Sequence, residues 1–219
     1  MFEGVSPENY EQKCLCVLVL DVSGSMEGES IRELNAGLRA FQQEIEKDFV
    51  ASQRLEISIV TFGSKIECIQ EPALIGNFLM PSLSVYGSTK LVDGVREAMR
   101  IVENRKQWYK NTGQTYYRPM IVLITDGEPD SDQDVAGLSQ EVSSAINAKK
   151  FMFYALGVQG YNHQKLLQVC STPPPLPLDA KKFSEFFRWL SNSIGIITKS
   201  TEGDRLALPP VSDWTQIQM

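Results

Sequence analysis

The chain has 219 residues, 42% hydrophobic and 22% charged, which suits one globular domain with a sizeable core. A net charge of −6 without any Lys/Arg cluster argues against nucleic acid as a partner. No apolar run approaches the roughly 18 residues of a membrane-spanning helix, so no membrane partner is expected.

Residues 1–13 are polar, carry Glu3, Glu8 and Glu11, and lack the apolar core of a secretory leader. They read as a loose lead-in, and the expected location is cytoplasmic. Cysteine usage agrees. Cys14 and Cys16 share one face of a strand and cannot pair with each other, while Cys68 and Cys170 are solitary. With His163 as the single histidine, zinc is not specified, and four reduced thiols acting as small apolar residues are expected.

Residues 15–20 form an unbroken apolar run, the pattern of a strand buried on both faces. The run ends in Asp21-Val-Ser-Gly-Ser25, three oxygen side chains around a glycine turn. Ile31, Leu34, Leu38, Phe41 and Ile45 then recur at helical spacing, with Ser30 and Glu33 placed to form a capping box. Residues 55–62 read as a second strand. A turn at Gly63 and Ser64 leads into a short antiparallel edge strand over 65–70.

Residues 71–88 hold Pro72, Gly76, Pro81 and Gly87 and predict a long irregular connection, a kind of loop that usually has a task. It delivers Thr89 to the start of a second helix with Leu91, Val95, Met99 and Val102 on its apolar face. Residues 103–117 are polar and aromatic. Residues 119–125 are a further apolar strand ending in Asp126-Gly127, the same grammar as the first: apolar run, carboxylate, glycine. A third helix is expected over 133–149, a strand over 151–158 and a helical turn or two over 164–170. The prolines of 173–177 should block regular structure. A helical stripe of Phe183, Phe186, Phe187, Leu190, Ile194 and Ile197 follows. A polar, proline-punctuated tail carries Leu206, Leu208, Trp214 and Ile217. The organisation read from this is a lead-in over 1–13, a domain over 14–198 and an extended tail over 199–219.

Alternating strands and helices predict an α/β fold. A doubly wound, mostly parallel central sheet would carry helices on both faces and one antiparallel edge strand. Ligands of such sheets sit at the carboxyl ends of the strands. If the first and fourth strands are neighbours, Asp21, Ser23, Ser25, Thr89 and Asp126 meet there from three loops. Two carboxylates and three hydroxyls specify a hard cation, Mg²⁺ or Mn²⁺, rather than zinc or copper. Taken singly, each residue has a plainer reading: Ser23, Ser25 and Thr89 as helix caps or turn formers, Asp126 as the cap of the third helix.

Asp21-Val-Ser-Gly-Ser25, Gly87-Ser-Thr89 and Ile124-Thr-Asp-Gly127 together resemble the metal-ion-dependent adhesion site of von Willebrand factor A domains, over about residues 14–197. The resemblance implies a Rossmann-like fold. It implies direct ligation by the two serines and the threonine, and ligation through water by the aspartates. It also implies a non-enzymatic interaction module whose ion takes an Asp or Glu carboxylate from a protein partner. Tyr117-Arg-Pro119 and Phe186-Phe-Arg-Trp-Leu190 are similar to bacterial cytosolic proteins of the tellurium-resistance TerY type. That likeness implies a stress-linked or signalling adaptor, with Ter-type stress proteins, a kinase or a phosphatase as partners.

Two other functions compete. A metal-dependent phosphohydrolase would need more than the sequence offers. There is no P-loop, no nucleophile elbow, and Ser23 stands where a dehalogenase-type enzyme needs a second aspartate. Only Glu128 and Asp130 could act as bases, and His163 reads as a surface loop residue. A metal-free scaffold is the other alternative.

Overall fold

The computed structural model describes residues 7–158, 160–200 and 208–211. Strands β1 (Cys14–Asp21), β2 (Leu55–Phe62), β3 (Ile66–Leu74), β4 (Met120–Thr125), β5 (Met152–Val158) and β6 (Leu176–Leu178) form one sheet, in the order β3-β2-β1-β4-β5-β6. Every neighbouring pair is parallel except β2 and β3. Around the sheet pack helices α1 (Glu29–Lys47), α2 (Phe49–Arg54), α3 (Leu91–Thr112), α4 (Val135–Asn147), α5 (His163–Val169) and α6 (Phe183–Thr198). The doubly wound, mostly parallel sheet with an antiparallel edge is the architecture expected from the sequence.

All eight residues of β1 are buried, and its alternation divides the first seven between two cores. Cys14, Cys16, Leu18 and Leu20 pack with the apolar faces of α1 and α6; Leu15, Val17 and Val19 pack with α3, α4 and α5. Each fully buried leucine or valine contributes roughly 1.5–3 kcal/mol. The two-sided core therefore fixes β1 and the height at which Asp21 emerges.

Several local expectations are corrected. Ser30 and Glu33 form no capping box. The helix begins two residues earlier, after Gly28 at φ +92°, and no side chain caps it. The short α2 was not foreseen; Asp48 starts it by accepting from the N–H groups of Val50 and Ala51, both at 3.1 Å. The polar, aromatic stretch after residue 102, to which the sequence assigned no element, is largely helical. There α3 continues to Thr112, because Arg105, Trp108 and Tyr109 have a buried face to cover. Arg105 grips Glu56 with two bonds of 2.8 and 2.6 Å, and the Tyr109 hydroxyl donates to the same carboxylate at 2.5 Å.

The prolines of 173–177 do not abolish regular structure either. Leu176–Leu178 joins β5 as the last strand, and an edge is where a sheet tolerates Pro177. His163 is exposed as expected, but it opens α5 rather than lying in a loop. The described part of the lead-in is tied down rather than loose. The Asn9 amide donates to Gln53, Glu11 pairs with Arg54 at 2.6 Å, and Gln114 donates to the Glu11 carbonyl at 2.8 Å. In the tail, Leu206, Trp214 and Ile217 lie outside the described residues. Residues 208–211 pack back: Leu208 and Val211 lie against the α1/α6 core, and the Trp189 indole donates to the Pro209 carbonyl at 2.8 Å.

Candidate metal centre

The neighbouring strands β1 and β4 set the first and last of the expected residues side by side. Asp21 ends β1, fully buried, with both carboxylate oxygens held. Oδ1 accepts from the Ser23 N–H at 2.8 Å and Oδ2 from the Thr125 hydroxyl at 2.5 Å, the latter across the β1–β4 seam. The Ser23 and Ser25 hydroxyls lie 3.0 Å apart, and Ser25 donates to Asp126 Oδ1 at 2.7 Å. Four of the five expected residues are thus one hydrogen-bonded chain.

Thr89 reaches the same place from the long connection. A Cβ built on Gly127 would sit 3.3 Å from Thr89 Oγ1 and 3.5 Å from Asp21 Oδ2, so the glycine leaves space between a hydroxyl and a carboxylate. The loops are locked to one another by backbone bonds, Tyr86 N–H to the Val22 carbonyl at 2.7 Å and Gly24 N–H to the Gly87 carbonyl at 3.1 Å. Gly87 has φ +72°, and any side chain there would collide with Ser64 Oγ, which is why this connection can pass so close to the turn after β2.

Of the plainer readings, the helix caps are not found, while the Ser23 and Ser25 hydroxyls do bond within their own turn at 3.0 Å. No side-chain bond from Ser23 caps the 3₁₀ turn of Gly24–Met26, and Lys90 precedes α3 without a capping bond from its side chain. Instead Gln133 Oε1 accepts from the Val92 N–H of α3 at 2.8 Å, and Asp134, not Asp126, caps α4 through the Gly137 N–H at 2.9 Å.

Both carboxyls of the crevice are shifted by burial. Burial pushes the Asp21 carboxyl up to about 6, against the bonds from Ser23 and Thr125 and with help from Asp126. Burial raises Asp126 too, opposed by its bond from Ser25. Among the described residues no Lys or Arg forms an ion pair with either carboxylate. Nor do the described residues hold any group of three or more His, Cys, Asp and Glu side chains placed for a metal. A cation here must draw on hydroxyls. The donor set of two carboxylates and three hydroxyls fits a hard, oxygen-preferring ion such as Mg²⁺.

Sequence reasoning missed two supporting residues. Thr125 fixes Asp21, and the signal was a hydroxyl ending an otherwise apolar strand. Asp130 holds the Thr89 backbone, accepting from its N–H at 3.0 Å; only the density of acids after Asp126 hinted at it.

Known proteins share this framework. The pilus adhesin SpaC of Lactobacillus rhamnosus GG, in its open conformation, superposes with a TM-score of 0.69 at 16% identity, over 86% of this chain and 31% of that one. The vWF domain of the type V pili tip protein Mfa5 from Porphyromonas gingivalis gives 0.63 at 11% identity, over 89% and 99%. At these identities the likeness is one of fold alone. Inter-alpha-trypsin inhibitor heavy chain H1 of Mesocricetus auratus is 24% identical over 150 residues, 64% of this chain; the match spans only 15% of that protein's length. The pattern of the von Willebrand factor type A domain matches residues 16–188. The chain belongs to the von Willebrand factor type A domain family, a family of protein-interaction and adhesion modules.

Proposed function

We propose that Asp21, Ser23, Ser25, Thr89 and Asp126 hold one Mg²⁺ or Mn²⁺ as a metal-ion-dependent adhesion site, and that the protein is an ion-dependent interaction module rather than an enzyme. The observation that carries this reading is the convergence of three hydroxyls and two carboxylates from three loops, with none of them spent on capping a helix. Bound there, the ion supplies concentrated positive charge and an open coordination position for an Asp or Glu carboxylate of a protein partner. The chain's own part is to hold the ligands. Ser23 N–H and Thr125 fix Asp21, Ser25 fixes Asp126, and Asp130 fixes the backbone of Thr89.

Titration calorimetry on EDTA-stripped protein tests this. One weak site is expected, because most of the ligands are neutral, and it should vanish in Ser23→Ala/Ser25→Ala. Unchanged binding in that double variant would overturn the assignment.

We infer a cytoplasmic setting in bacterial tellurite or stress resistance or signalling, with Ter-type stress proteins, a kinase or a phosphatase as candidate partners. The four free cysteines suit a reducing compartment, and the segments at Tyr117–Pro119 and Phe186–Leu190 support the TerY-type placement. Among the described residues no helix is long and apolar enough to cross a membrane. Loss of the gene should lower tellurite tolerance, and unchanged tolerance would remove that placement.

A further inference from the structure

Gln133, in the loop after β4, spends its whole side chain on the first turn of α3. Its Oε1 accepts from the Val92 N–H at 2.8 Å and from the Asp93 N–H at 3.4 Å, and its Nε2 donates to Asp93 Oδ2 at 3.0 Å. The Gln133 backbone is itself held, its N–H donating to the Asp130 carbonyl at 3.0 Å and its carbonyl accepting from the Val135 N–H at 3.0 Å. Burial makes such a cap necessary. A helix leaves its first N–H groups without a partner in the helix, and Val92 is only 1% exposed, so water cannot serve its N–H. The Lys90 side chain gives no cap, so α3 borrows one from a loop 41 residues further on. Two residues before the helix stands Thr89, whose N–H donates to Asp130 Oδ1 in that same loop. From the other side the Gly63 carbonyl accepts from the Lys90 N–H at 3.2 Å. Thr89 is thus framed by the turn after β2 and by the loop after β4, and Gln133 fixes the helix start behind it.

We propose that Gln133 is a positioning residue of the ion site: by capping α3 it sets where Thr89 stands relative to Asp126, and it couples occupancy of the site to the order of α3's first turn. The inference rests on the reading of the crevice as an ion site and adds to it the support that the site draws from α3. Without the Gln133 amide the buried Val92 N–H has no acceptor, a cost the turn relieves only by fraying or tilting until it finds one. Lys90 and Leu91 alone separate Val92 from Thr89, so that movement reaches the hydroxyl. The coupling runs both ways: if an ordered first turn favours the ion, the bound ion favours an ordered first turn.

Mg²⁺ titration calorimetry and amide hydrogen exchange on the full chain test this. Gln133→Ala should lower Mg²⁺ affinity by roughly fivefold, less than the tenfold or more lost with a direct support of a metal ligand. Mg²⁺ should slow exchange of the Val92 and Asp93 amides several-fold in the parent and leave it unchanged in Gln133→Ala. Gln133→Glu keeps an acceptor but sets a carboxylate against Asp93, and should also bind the ion several-fold more weakly. Adding Asp93→Asn restores an amide–carboxylate pair with its direction reversed, and should recover most of the affinity. Asp48→Ala removes the cap of α2, which leads into the start of β2 at the opposite end of the sheet. It should lower the melting temperature and leave Mg²⁺ affinity unchanged. Parent-like affinity in Gln133→Ala, or amide exchange at Val92 that Mg²⁺ does not slow in the parent, overturns the positioning role while leaving the ion site standing. So does an equal loss of affinity in Asp48→Ala, or no recovery in the paired variant, since Gln133 would then only support the fold. A parent chain that binds no Mg²⁺ overturns the ion reading itself, and this inference with it.

Discussion

Asp130 and Thr89 hold each other by paired bonds: the Asp130 N–H donates to the Thr89 carbonyl, and the Thr89 N–H donates to Asp130 Oδ1, both at 3.0 Å. The Thr89 hydroxyl can serve an ion only if the loop carrying it stays put against the Asp126 loop, and this clasp is what keeps it there. Asp130→Ala should therefore lower Mg²⁺ affinity by about tenfold, the usual effect of losing an outer support of a metal ligand. Asp130→Asn keeps an acceptor oxygen and should recover most of that loss. Calorimetric titration of both variants decides the matter, and equal affinity in Asp130→Ala would mean that Thr89 needs no such support.

The buried Asp21 carboxyl makes the ion-free protein sensitive to pH. Burial raises it from an ordinary 3.8 to about 6, so the unfolded chain ionises first as pH rises. Its contribution to stability is full below about pH 4 and is lost as pH climbs through 6, a loss of about 3 kcal/mol. Relative to Asp21→Asn, the ion-free parent should lose stability across that window. A bound cation would relieve the penalty, so Mg²⁺ should raise the melting temperature more at pH 7.5 than at pH 5. A Mg²⁺ effect independent of pH in scanning calorimetry would place the ion away from Asp21.

Turnover separates the interaction module from a phosphohydrolase. Asp21 is a poor nucleophile here, since it is buried and both its oxygens accept from Ser23 and Thr125. The lone His163 is bonded to the Tyr161 hydroxyl at 2.9 Å, at the start of α5. The protein with Mg²⁺ or Mn²⁺ should hydrolyse neither nucleotides nor p-nitrophenyl phosphate above the enzyme-free rate. Hydrolysis abolished by Asp21→Ala would replace the adaptor reading with an enzymatic one.

What the sequence made legible, and what it hid, follows from how far each signal reaches. The apolar runs of β1 and β4 and the carboxylate that closes each are local patterns, and burial on two faces leaves them one place to go. The convergence on Thr89 was legible because strand order in a doubly wound sheet puts the β1 and β4 ends together. Glu56 was not legible as a core residue. On the pattern alone it is the polar half of an alternating strand, and its partners Arg105 and Tyr109 lie about fifty residues on. Those partners lie in a polar, aromatic stretch to which the sequence assigned no element, so the last turns of α3 went unread. Pro177 hid β6 for a related reason: proline argues against a strand unless that strand lies at an edge, and edge position is a tertiary fact. Ser30 and Glu33 matched a capping pattern two residues out of phase with the helix that Gly28 opens.

Residues 208–211 lie as a cover over α6. The Trp189 indole is 8% exposed and donates to the Pro209 carbonyl at 2.8 Å, while Leu208 and Val211 pack on the core beside it. Removing residues 203–219 strips this cover, exposing apolar surface and leaving the indole donor without that acceptor. Two partly buried aliphatic side chains and one hydrogen bond together contribute about 2–4 kcal/mol. For a chain of this size that is a fall in melting temperature of roughly 5–12 °C. Trp189→Phe in the full chain keeps the ring and deletes the donor, at a cost of about 1 kcal/mol. In the truncated chain the same substitution should cost less, because the acceptor is already gone, and the cycle of four proteins measures that coupling directly. If truncation leaves the melting temperature unchanged while partner capture is lost, the segment around Pro209 is a docking element and not a cover.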